Sequence, residues 1–420
     1  MDPVAHIPPQ PWMAEPATHT LLAALGAGGS VVRFVGGCVR DAHLGRRIAD
    51  IDIATPDPPE RVVELLEADS IKVVPTGIAH GTVTAVVAPR HFEITTLRHD
   101  VETFGRHARV AFTDDWASDA ARRDFTMNAL FLDAAGAVFD PVSGLEDLRR
   151  GQVRFVGDAA TRIKEDVLRL LRFYRFHAHY GRGEADAAAR AACRALAPLL
   201  PSLSGERVAA ELLKLLAAPD PVPSLRMMAE DGITAVLLPE ASRLERLAVL
   251  VAIEPESDRV RRLAALLASE ETAVRNVAER LRLANHDRDR LVLLAAPPWA
   301  VALGDDERAQ RRALRRLGLA AYRDLVLLRA AETGEAARAA ALIAAAPDRV
   351  PPAFPLRGRD ARQLGVPAGK RLGELLAEVE RWWEEGDYRA DRTACLDRLS
   401  AAARKAGFAP AANGGSAGGC

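Results

Sequence analysis

Two aspartates separated by one residue, Asp50 and Asp52, are the side chains whose spacing points most directly to chemistry. The apolar residues between and after them predict a strand, on which residues i and i+2 share a face. Both carboxylates then point the same way, while Ile51 and Ile53 face the core. Two adjacent carboxylates stay ionised together when a cation lies between them, which is the arrangement of a Mg²⁺ site. A solvated strand face is the alternative interpretation of this pair.

A glycine pair precedes these aspartates. The segment Phe34–Asp41 runs from a short apolar strand through Gly36 and Gly37 into a helical pattern. Glycines at such a turn let backbone N–H groups approach an anion, and Arg40, one turn into the helix, can reach the same phosphate. An ordinary strand-to-helix turn has the same residues, so the motif gains weight only from its neighbours.

Further charged side chains in the first 140 residues could serve the same chemistry. Glu93 lies on an apolar run and could complete a metal cluster or orient an attacking hydroxyl, although a half-exposed strand residue explains it as well. Arg122 and Arg123 stand beside acids and could neutralise a triphosphate, because guanidinium groups match phosphate oxygens. A solvated helix end with local salt bridges is the other reading of the two arginines.

The most informative segment is 163–176, where leucines and a phenylalanine at helical spacing predict one continuous helix. One acid and three bases recur along it every three residues: Asp166, Arg169, Arg172 and Arg175. Residues 149–182 contain nine Lys and Arg against three Asp and Glu, although the whole chain has a net charge of -1. Positive charge is therefore concentrated in this region, as an anionic partner requires, even though a charged solvent face would show the same local pattern.

The elements that must position these residues differ along the chain. Up to about residue 140, β-branched apolar runs alternate with turns and short helical stretches, and from about 158 Ala, Leu, Arg and Glu recur at helical spacing. We therefore predict an α+β multidomain protein with an all-helical remainder. A chain of 420 residues exceeds one hydrophobic core, so two to four packed units are expected.

Composition excludes several classes of protein. No run approaches the 18 apolar residues of a membrane span, and the N-terminus lacks the basic and apolar regions of a secretory signal. The four cysteines are far apart, which argues against a zinc or disulfide framework and favours the cytoplasm. Residues 1–16 are proline-rich and are predicted to be disordered, and 408–420 are predicted to be a flexible tail.

Four segments, taken in order, resemble the class II tRNA nucleotidyltransferases, which comprise the CCA-adding enzymes and their poly(A) polymerase relatives. The resemblance covers roughly residues 30–240 and is carried by Gly36–Asp41, Asp50–Asp52, Arg122–Leu130 and Glu165–Arg169. Each motif is weak alone, and their order makes the signal specific. The family implies a polymerase-β-like nucleotidyltransferase head with a small mixed sheet (17–148), then an all-α neck (149–240) and an all-α body and tail (241–407).

The same resemblance implies the site. Asp50 and Asp52 would hold two Mg²⁺ ions, and the glycine turn with Arg40 would meet the triphosphate of the incoming nucleotide. The remaining nucleotide contacts implied by the family are Arg123, Asp166, Arg169, Arg172 and Arg175, with Asp166 and Arg169 pairing with the base. Asp offers only acceptors and Arg only donors, so the pair suits cytosine and adenine, and uracil and guanine present the reverse pattern.

The function that the family implies is addition of C, C and A to the tRNA 3′ end from CTP and ATP. A poly(A) polymerase, or an enzyme adding only CC or only A, is the alternative, and a non-catalytic RNA-binding protein is a third reading. The segments 75–83 and 99–110 resemble those of complete CCA-adding enzymes. The sequence leaves open whether the protein is a monomer or a dimer, and His286, the one histidine after Tyr180, cannot build a second hydrolase site.

Overall fold

The computed structural model describes residues 1–74, 77–78, 81–104, 107–268 and 270–408. The segments 75–83 and 99–110 lie partly outside these residues and the tail 409–420 wholly outside, so the predictions made for them stay predictions. The chain divides into two compact units: one contains residues 1–251 and 255–291, and the other contains the rest. The boundaries at 148 and 240 fall within the first unit and remain predictions.

An eight-stranded mixed sheet forms the centre of the head and has the order β1-β10-β9-β2-β3-β6-β5-β4. Its strands are β1 (Ala5–His6), β2 (Arg33–Val35), β3 (Ile51–Thr55), β4 (Lys72–Val74), β5 (Thr82–Val87), β6 (Arg90–Thr96), β9 (Phe131–Leu132) and β10 (Ala137–Phe139). The strands β3 and β6 are parallel, and the other recorded pairs are antiparallel. A separate antiparallel pair comprises β7 (Arg98–Phe104) and β8 (His107–Phe112).

Alternation along β3 decides which side chains face the core. Ile51 and Ile53 are 2% and 0% exposed, and Asp52, between them, points to the opposite face. The parallel register with β6 sets Asp52 beside Glu93. The alternation predicted for Ile51, Asp52 and Ile53 is therefore observed, whereas Asp50 lies just before the strand, and the register with β6 brings in Glu93 as a third carboxylate.

Five helices surround the sheet: α1 (Pro16–Gly26), α2 (Gly37–His43), α3 (Pro59–Ala68), α4 (Trp116–Ala121) and α5 (Gly144–Arg150). The turn before α2 requires glycine, because Gly36 has a φ of 73°, which side-chain-bearing residues rarely adopt. The short helix Thr126–Asn128 follows α4 and leads into β9.

Helices follow along the chain: α6 (Ala159–Glu165), α7 (Leu168–Tyr180), α8 (Ala187–Leu196), α9 (Gly205–Leu216), α10 (Val222–Glu230), α11 (Ile233–Leu237), α12 (Leu244–Ile253), α13 (Arg259–Leu266), α14 (Glu271–Arg280) and α15 (Asn285–Ala295). The last residues of α12 and α15 lie beyond the limits of the first unit. Beyond residue 158, the described part of the chain contains helices and no β-strand, which agrees with the predicted all-helical remainder.

The prediction of one continuous helix over 163–176 is wrong. Asp166 has extended backbone angles (φ -147°, ψ 107°) and separates α6 from α7. Its Oδ1 accepts a hydrogen bond from the backbone N–H of Leu168 at 3.1 Å, so the short carboxylate replaces a helical carbonyl as acceptor and starts the next helix.

The second unit contains α16 (Glu307–Thr333), interrupted at Gly318, then α17 (Ala336–Ala345), α18 (Gly358–Gln363), α19 (Lys370–Glu385) and α20 (Arg392–Lys405). Its last three helices share a core around Trp383, which is 1% exposed and donates from Nε1 to the carbonyl of Ala390 at 2.9 Å. Among the described residues, no helix is both long enough and apolar enough to cross a membrane.

The predicted disorder of residues 1–16 is also contradicted. The strand β1 pairs with β10, and Ile7, Trp12 and Met13 are each 7% exposed. The Trp12 ring meets Phe34 edge-on with centroids 4.7 Å apart. Prolines at the start of a helix or at a sheet edge are compatible with order. The apolar residues Ile7, Trp12 and Met13, which lie between the prolines, pack against the rest of the head and order the segment. The high proline content had drawn attention away from them.

Replacing Trp12 tests whether this segment contributes to the fold. We expect Trp12→Ala to lower the free energy of unfolding by about 3 kcal/mol, because it removes a buried aromatic side chain and leaves a cavity. Val4→Ala, at a position 57% exposed, is the matched control and should change it by less than about 0.5 kcal/mol. Urea denaturation followed by circular dichroism measures both, and equal, negligible effects would restore the prediction of disorder.

Candidate functional site

A polar cavity of about 770 Å³ opens between the sheet and the helices α7 and α9; we call it the central pocket. Its lining contains every residue singled out from the sequence as a site residue: Gly36, Gly37, Arg40, Asp50, Asp52, Glu93, Arg123, Asp166, Arg169, Arg172 and Arg175. Side chains distributed over 140 residues of sequence therefore meet in one place.

Three carboxylates, Asp50, Asp52 and Glu93, line the pocket at the sheet. Burial raises the pKa of Asp52 to about 6, and the negative charges of Glu93 and Asp50 act in the same direction against the opposing pull of Arg123. Ionising Asp52 beside the other two carboxylates is therefore costly without added positive charge. Within the described residues, no group of three or more His, Cys, Asp and Glu side chains is placed to hold a metal ion by itself.

Arg40 lies at the edge of the pocket and is 7% exposed. Its Nε and Nη2 donate to the Asp41 carboxylate at 3.0 and 2.8 Å, and Nη1 donates to Oδ1 of Asn128 at 2.6 Å. A Cβ atom placed on Gly37 would lie 3.7 Å from Arg40 Nη2, so the glycine turn and the guanidinium are close together. The predicted neighbours are thus adjacent, with Arg40 already held by protein groups.

Arg122 and Arg123 share one counter-ion. The Asp119 side chain is 1% exposed and pairs with Arg122 Nη2 at 2.6 Å and with Arg123 Nη2 at 2.9 Å. Burial alone would favour the protonated acid, but the two guanidinium groups hold the pKa of Asp119 below its ordinary value. The arrangement is a buried pairing and not the solvated helix end that the sequence also allowed.

Asp124 connects the head to helix α7. Its Oδ2 accepts from Arg172 Nε at 2.7 Å, and its Oδ1 accepts from Asn128 Nδ2 at 3.0 Å. Burial disfavours the charged carboxylate, but attraction to Arg172 and the bond from Asn128 lower the pKa of Asp124. Arg172 therefore reaches the pocket with its direction fixed.

Asp166 and Arg169 do not pair with each other. Both Asp166 oxygens accept from Arg207 Nη2, at 3.0 and 2.8 Å, whereas Arg169 Nη1 donates to Glu165 at 2.5 Å and to the carbonyl of Arg162 at 3.1 Å. Arg169 Nη2 donates to the carbonyl of Arg122 at 3.2 Å. Each is thus held by another partner, because the helix break at Asp166 removes the i,i+3 geometry.

Helix α9 supplies pocket residues that sequence reasoning missed. Arg207 and Lys214 line the pocket, and Glu211, 4% exposed, pairs with Arg175 Nε at 2.8 Å. The spacing i, i+4, i+7 places the three charges on one helix face, a signal that could have found them. Asp124 and Asn128 lie in a segment already singled out, but no specific role had been given to them, and Arg122 had been singled out only with Arg123 as a group that could neutralise a triphosphate.

The lining contains eight basic and five acidic side chains, an excess of three positive charges. All seven arginines are ion-paired, whereas Lys214 is exposed and has no ion pair within the described part of the chain. An anion with several phosphate groups suits this charge, and a divalent cation suits the carboxylates at its base. The pocket is therefore suited to a nucleoside triphosphate bound with metal.

Two family models match the chain. One, for the Poly A polymerase head domain, matches residues 32–154, and the other, described as the probable RNA and SrmB-binding site of polymerase A, matches residues 186–244. The first match contains the carboxylates and the glycine turn. The second contains α9 with Arg207 and Lys214.

Curated relatives extend the likeness to most of the chain. CCA tRNA nucleotidyltransferase 1, mitochondrial, of Danio rerio is 33% identical over 386 residues, which cover 88% of this chain and 87% of that protein. The CCA-adding enzyme of Geobacillus stearothermophilus is 39% identical over 221 residues, which cover 52% of this chain and 54% of that protein.

Solved structures show the same architecture. The Bacillus stearothermophilus CCA-adding enzyme in complex with CTP superposes with a TM-score of 0.74 at 29% identity, covering 94% of this chain and 99% of that one. The Thermotoga maritima CCA-adding enzyme complexed with tRNA has a TM-score of 0.61 at 19% identity, covering 93% of this chain and 96% of that one. The second likeness concerns the fold alone.

The pairing of Asp124 with Arg172 predicts a large loss of stability on its removal. Asp124→Ala should lower the free energy of unfolding by about 3 kcal/mol, because it leaves Arg172 beside other guanidinium groups without its counter-ion. The exposed pair of Glu64 and Arg61 on α3 is the matched control, and Glu64→Ala should cost less than about 0.5 kcal/mol. Equal losses in urea denaturation would show that the pocket pair contributes no more than a surface pair.

Proposed function

The chain belongs to the family of CCA-adding tRNA nucleotidyltransferases, and on this premise we propose that it adds C, C and A to the 3′ end of tRNA. CTP and ATP are the substrates and pyrophosphate is released. The observation that carries the proposal is the central pocket, whose lining contains Asp50, Asp52 and seven arginines that are each held by an ion pair. Substrate, metal and RNA each have matching groups there.

The carboxylates fit two Mg²⁺ ions bound together with substrate. Asp52 has a raised pKa because it is buried and because the negative charges of Glu93 and Asp50 lie near it, and all three carboxylates line the pocket. Magnesium is commonly bound by one or two carboxylates with phosphate oxygens completing its ligands, so a full protein cage is not required. We assign Asp50 and Asp52 as its ligands, and when bound it supplies Lewis acidity toward the attacking hydroxyl and the leaving group.

The protein groups of the pocket place the triphosphate for displacement. The turn at Gly36 and Gly37, with Arg40 and Arg123, binds the phosphates, and the RNA 3′ oxygen attacks the α-phosphorus. The bond from the α-phosphorus to the bridging oxygen breaks, and pyrophosphate leaves with its charge matched by guanidinium groups. Glu93, beside Asp52, either completes the carboxylate set or orients the hydroxyl.

Base selection follows from the hydrogen bonds left over at Asp166 and Arg169. Three bonds to described residues leave Arg169 with Nε–H and one Nη2–H for a ligand, and Asp166 Oδ2 can accept a further donor. Cytosine and adenine each present an amine beside a ring acceptor and satisfy both side chains. Uracil and guanine present a carbonyl beside an N–H and leave groups unpaired, at about 1 to 3 kcal/mol each.

Lys214 is the side chain we assign to an RNA phosphate. The arginines are fixed by their acids and suit a triphosphate that occupies the same place in every cycle. The Lys214 ammonium lies on a flexible stem at the pocket rim and suits a backbone that advances by one nucleotide each time.

We propose the cytoplasm as the location of the protein, whereas the vertebrate relatives have mitochondrial names.

Nucleotide incorporation tests the proposed activity. The whole protein is supplied with tRNA ending at the discriminator base, Mg²⁺ and labelled CTP, ATP, UTP or GTP, singly and together. We expect growth by three nucleotides and then a stop when CTP and ATP are both present, because the protein and not a template sets the product. Chelation of Mg²⁺ should abolish the reaction.

The other outcomes identify the alternatives. Long A tails would indicate a poly(A) polymerase, and a stop after CC or after a single A would indicate a partial enzyme. Asp50→Ala is the matched inactive control and should retain tRNA binding without incorporation. No incorporation by the wild-type protein would overturn the proposal and favour a non-catalytic RNA-binding protein.

A further inference from the structure

Tyr180, the last residue of α7, does not line the central pocket, but it contacts Arg40, which does. Its hydroxyl donates to Asp41 Oδ1 at 2.9 Å. Its ring lies 4.2 Å from the guanidinium carbon of Arg40 and 4.4 Å from that of Arg46. The Tyr180 side chain thus contacts both Asp41 and Arg40, the ion pair of helix α2.

The contact closes a ring of hydrogen bonds. From Asp41 the ring passes through Arg40 to Asn128 Oδ1 at 2.6 Å, and from Asn128 Nδ2 to Asp124 Oδ1 at 3.0 Å. Asp124 Oδ2 then accepts from Arg172 Nε at 2.7 Å, which returns the ring to α7. Arg172 and Tyr180 are separated by about two turns of this one helix.

Such a ring sets the distance between two parts of the pocket. Arg40 belongs to the turn assigned to the triphosphate, and Arg172 belongs to the helix assigned to the rest of the nucleotide. Asp41 accepts from Arg40 on both oxygens and from Tyr180 on Oδ1. Asp124 accepts from Arg172 on Oδ2 and from Asn128 on Oδ1, so the direction of each group depends on the next. Tyr180 and Asp41 are the two members of the ring that do not line the central pocket.

We infer that Tyr180 is a positioning residue for nucleotidyl transfer, acting through Asp41 and Arg40. This inference rests on the proposed function. Loss of the phenol hydroxyl leaves Arg40 as the one side-chain partner of Asp41 among the described residues and lets the guanidinium turn away from Asn128. The glycine turn and α7 then hold the two ends of the nucleotide in a less defined relation, which slows transfer without removing a ligand contact.

The chain offers a matched control on the same helix. Tyr174 also donates its hydroxyl to a carboxylate, Asp231 Oδ2, at 2.8 Å, and Asp231 is held by Arg190 and Arg194. Tyr174 is 0% exposed, and neither it nor Asp231 lines the central pocket. Removing its hydroxyl therefore breaks the same kind of bond at a site unrelated to the nucleotide.

The experiment compares Tyr180→Phe with Tyr174→Phe in the full chain. We expect kcat/KM for CTP and for ATP to fall about tenfold in Tyr180→Phe, with KM for tRNA changed less than about twofold. Tyr174→Phe should keep wild-type kinetics, and its melting temperature should fall at least as far as that of Tyr180→Phe. Asp41→Asn should lower kcat/KM as well, and adding Tyr180→Phe to it should lower it little further.

The outcomes separate the two levels of the proposal. A wild-type protein that adds no nucleotide refutes the proposed function. An active wild type with unchanged kinetics in Tyr180→Phe refutes the positioning role, as does a loss that Tyr174→Phe shares in proportion to its lower stability. Additive effects of Tyr180→Phe and Asp41→Asn would likewise show that the two residues do not act as one unit.

Discussion

Seven guanidinium groups converge on one cavity, and their mutual repulsion is the constraint that shapes the rest of the first unit. Like charges brought together in a partly buried pocket destabilise the fold unless each has a counter-ion. The chain meets this requirement with acids placed behind the pocket wall as well as in it: Asp41, Asp119, Glu165 and Glu211 stand outside the lining. The arginines are therefore oriented before any ligand arrives, which lowers the ordering cost of binding.

Several irregular features of the fold follow from this requirement. The helix breaks at Asp166, because that carboxylate caps α7 and pairs with Arg207 and so cannot lie within a regular turn. Helix α9 buries Glu211, a residue type rarely found at 4% exposure, because Arg175 needs a partner there. The end of α4 holds two arginines on the single buried carboxylate of Asp119. Each of these features lowers the stability of the fold relative to an apolar core, and each is explained by the need to hold arginines in the pocket.

The sequence alone predicted the parts of the site that depend on local pattern. Alternation along β3 predicted that Asp52 points away from the core, and the paired glycines predicted the turn before α2, while Asp50 lines the same pocket from the residue just before the strand. The spacing of Arg207, Glu211 and Lys214 indicates a shared helix face, but it does not show that this face meets the pocket, because the pairing of Arg207 with Asp166 across 41 residues is a tertiary contact. The N-terminal segment was misjudged for the same reason, since its partner β10 lies more than 130 residues further along. Each motif counted separately was weak, and their order carried the family resemblance.

We propose that protein side chains select the base, with Asp166 held by Arg207 and Arg169 held by Glu165. Equilibrium titration of the whole protein with each of the four nucleoside triphosphates, in Mg²⁺ and without RNA, tests it most directly. CTP and ATP should bind at least about tenfold more tightly than UTP and GTP, because only they satisfy both side chains. Equal affinity for all four nucleotides would contradict selection by these residues.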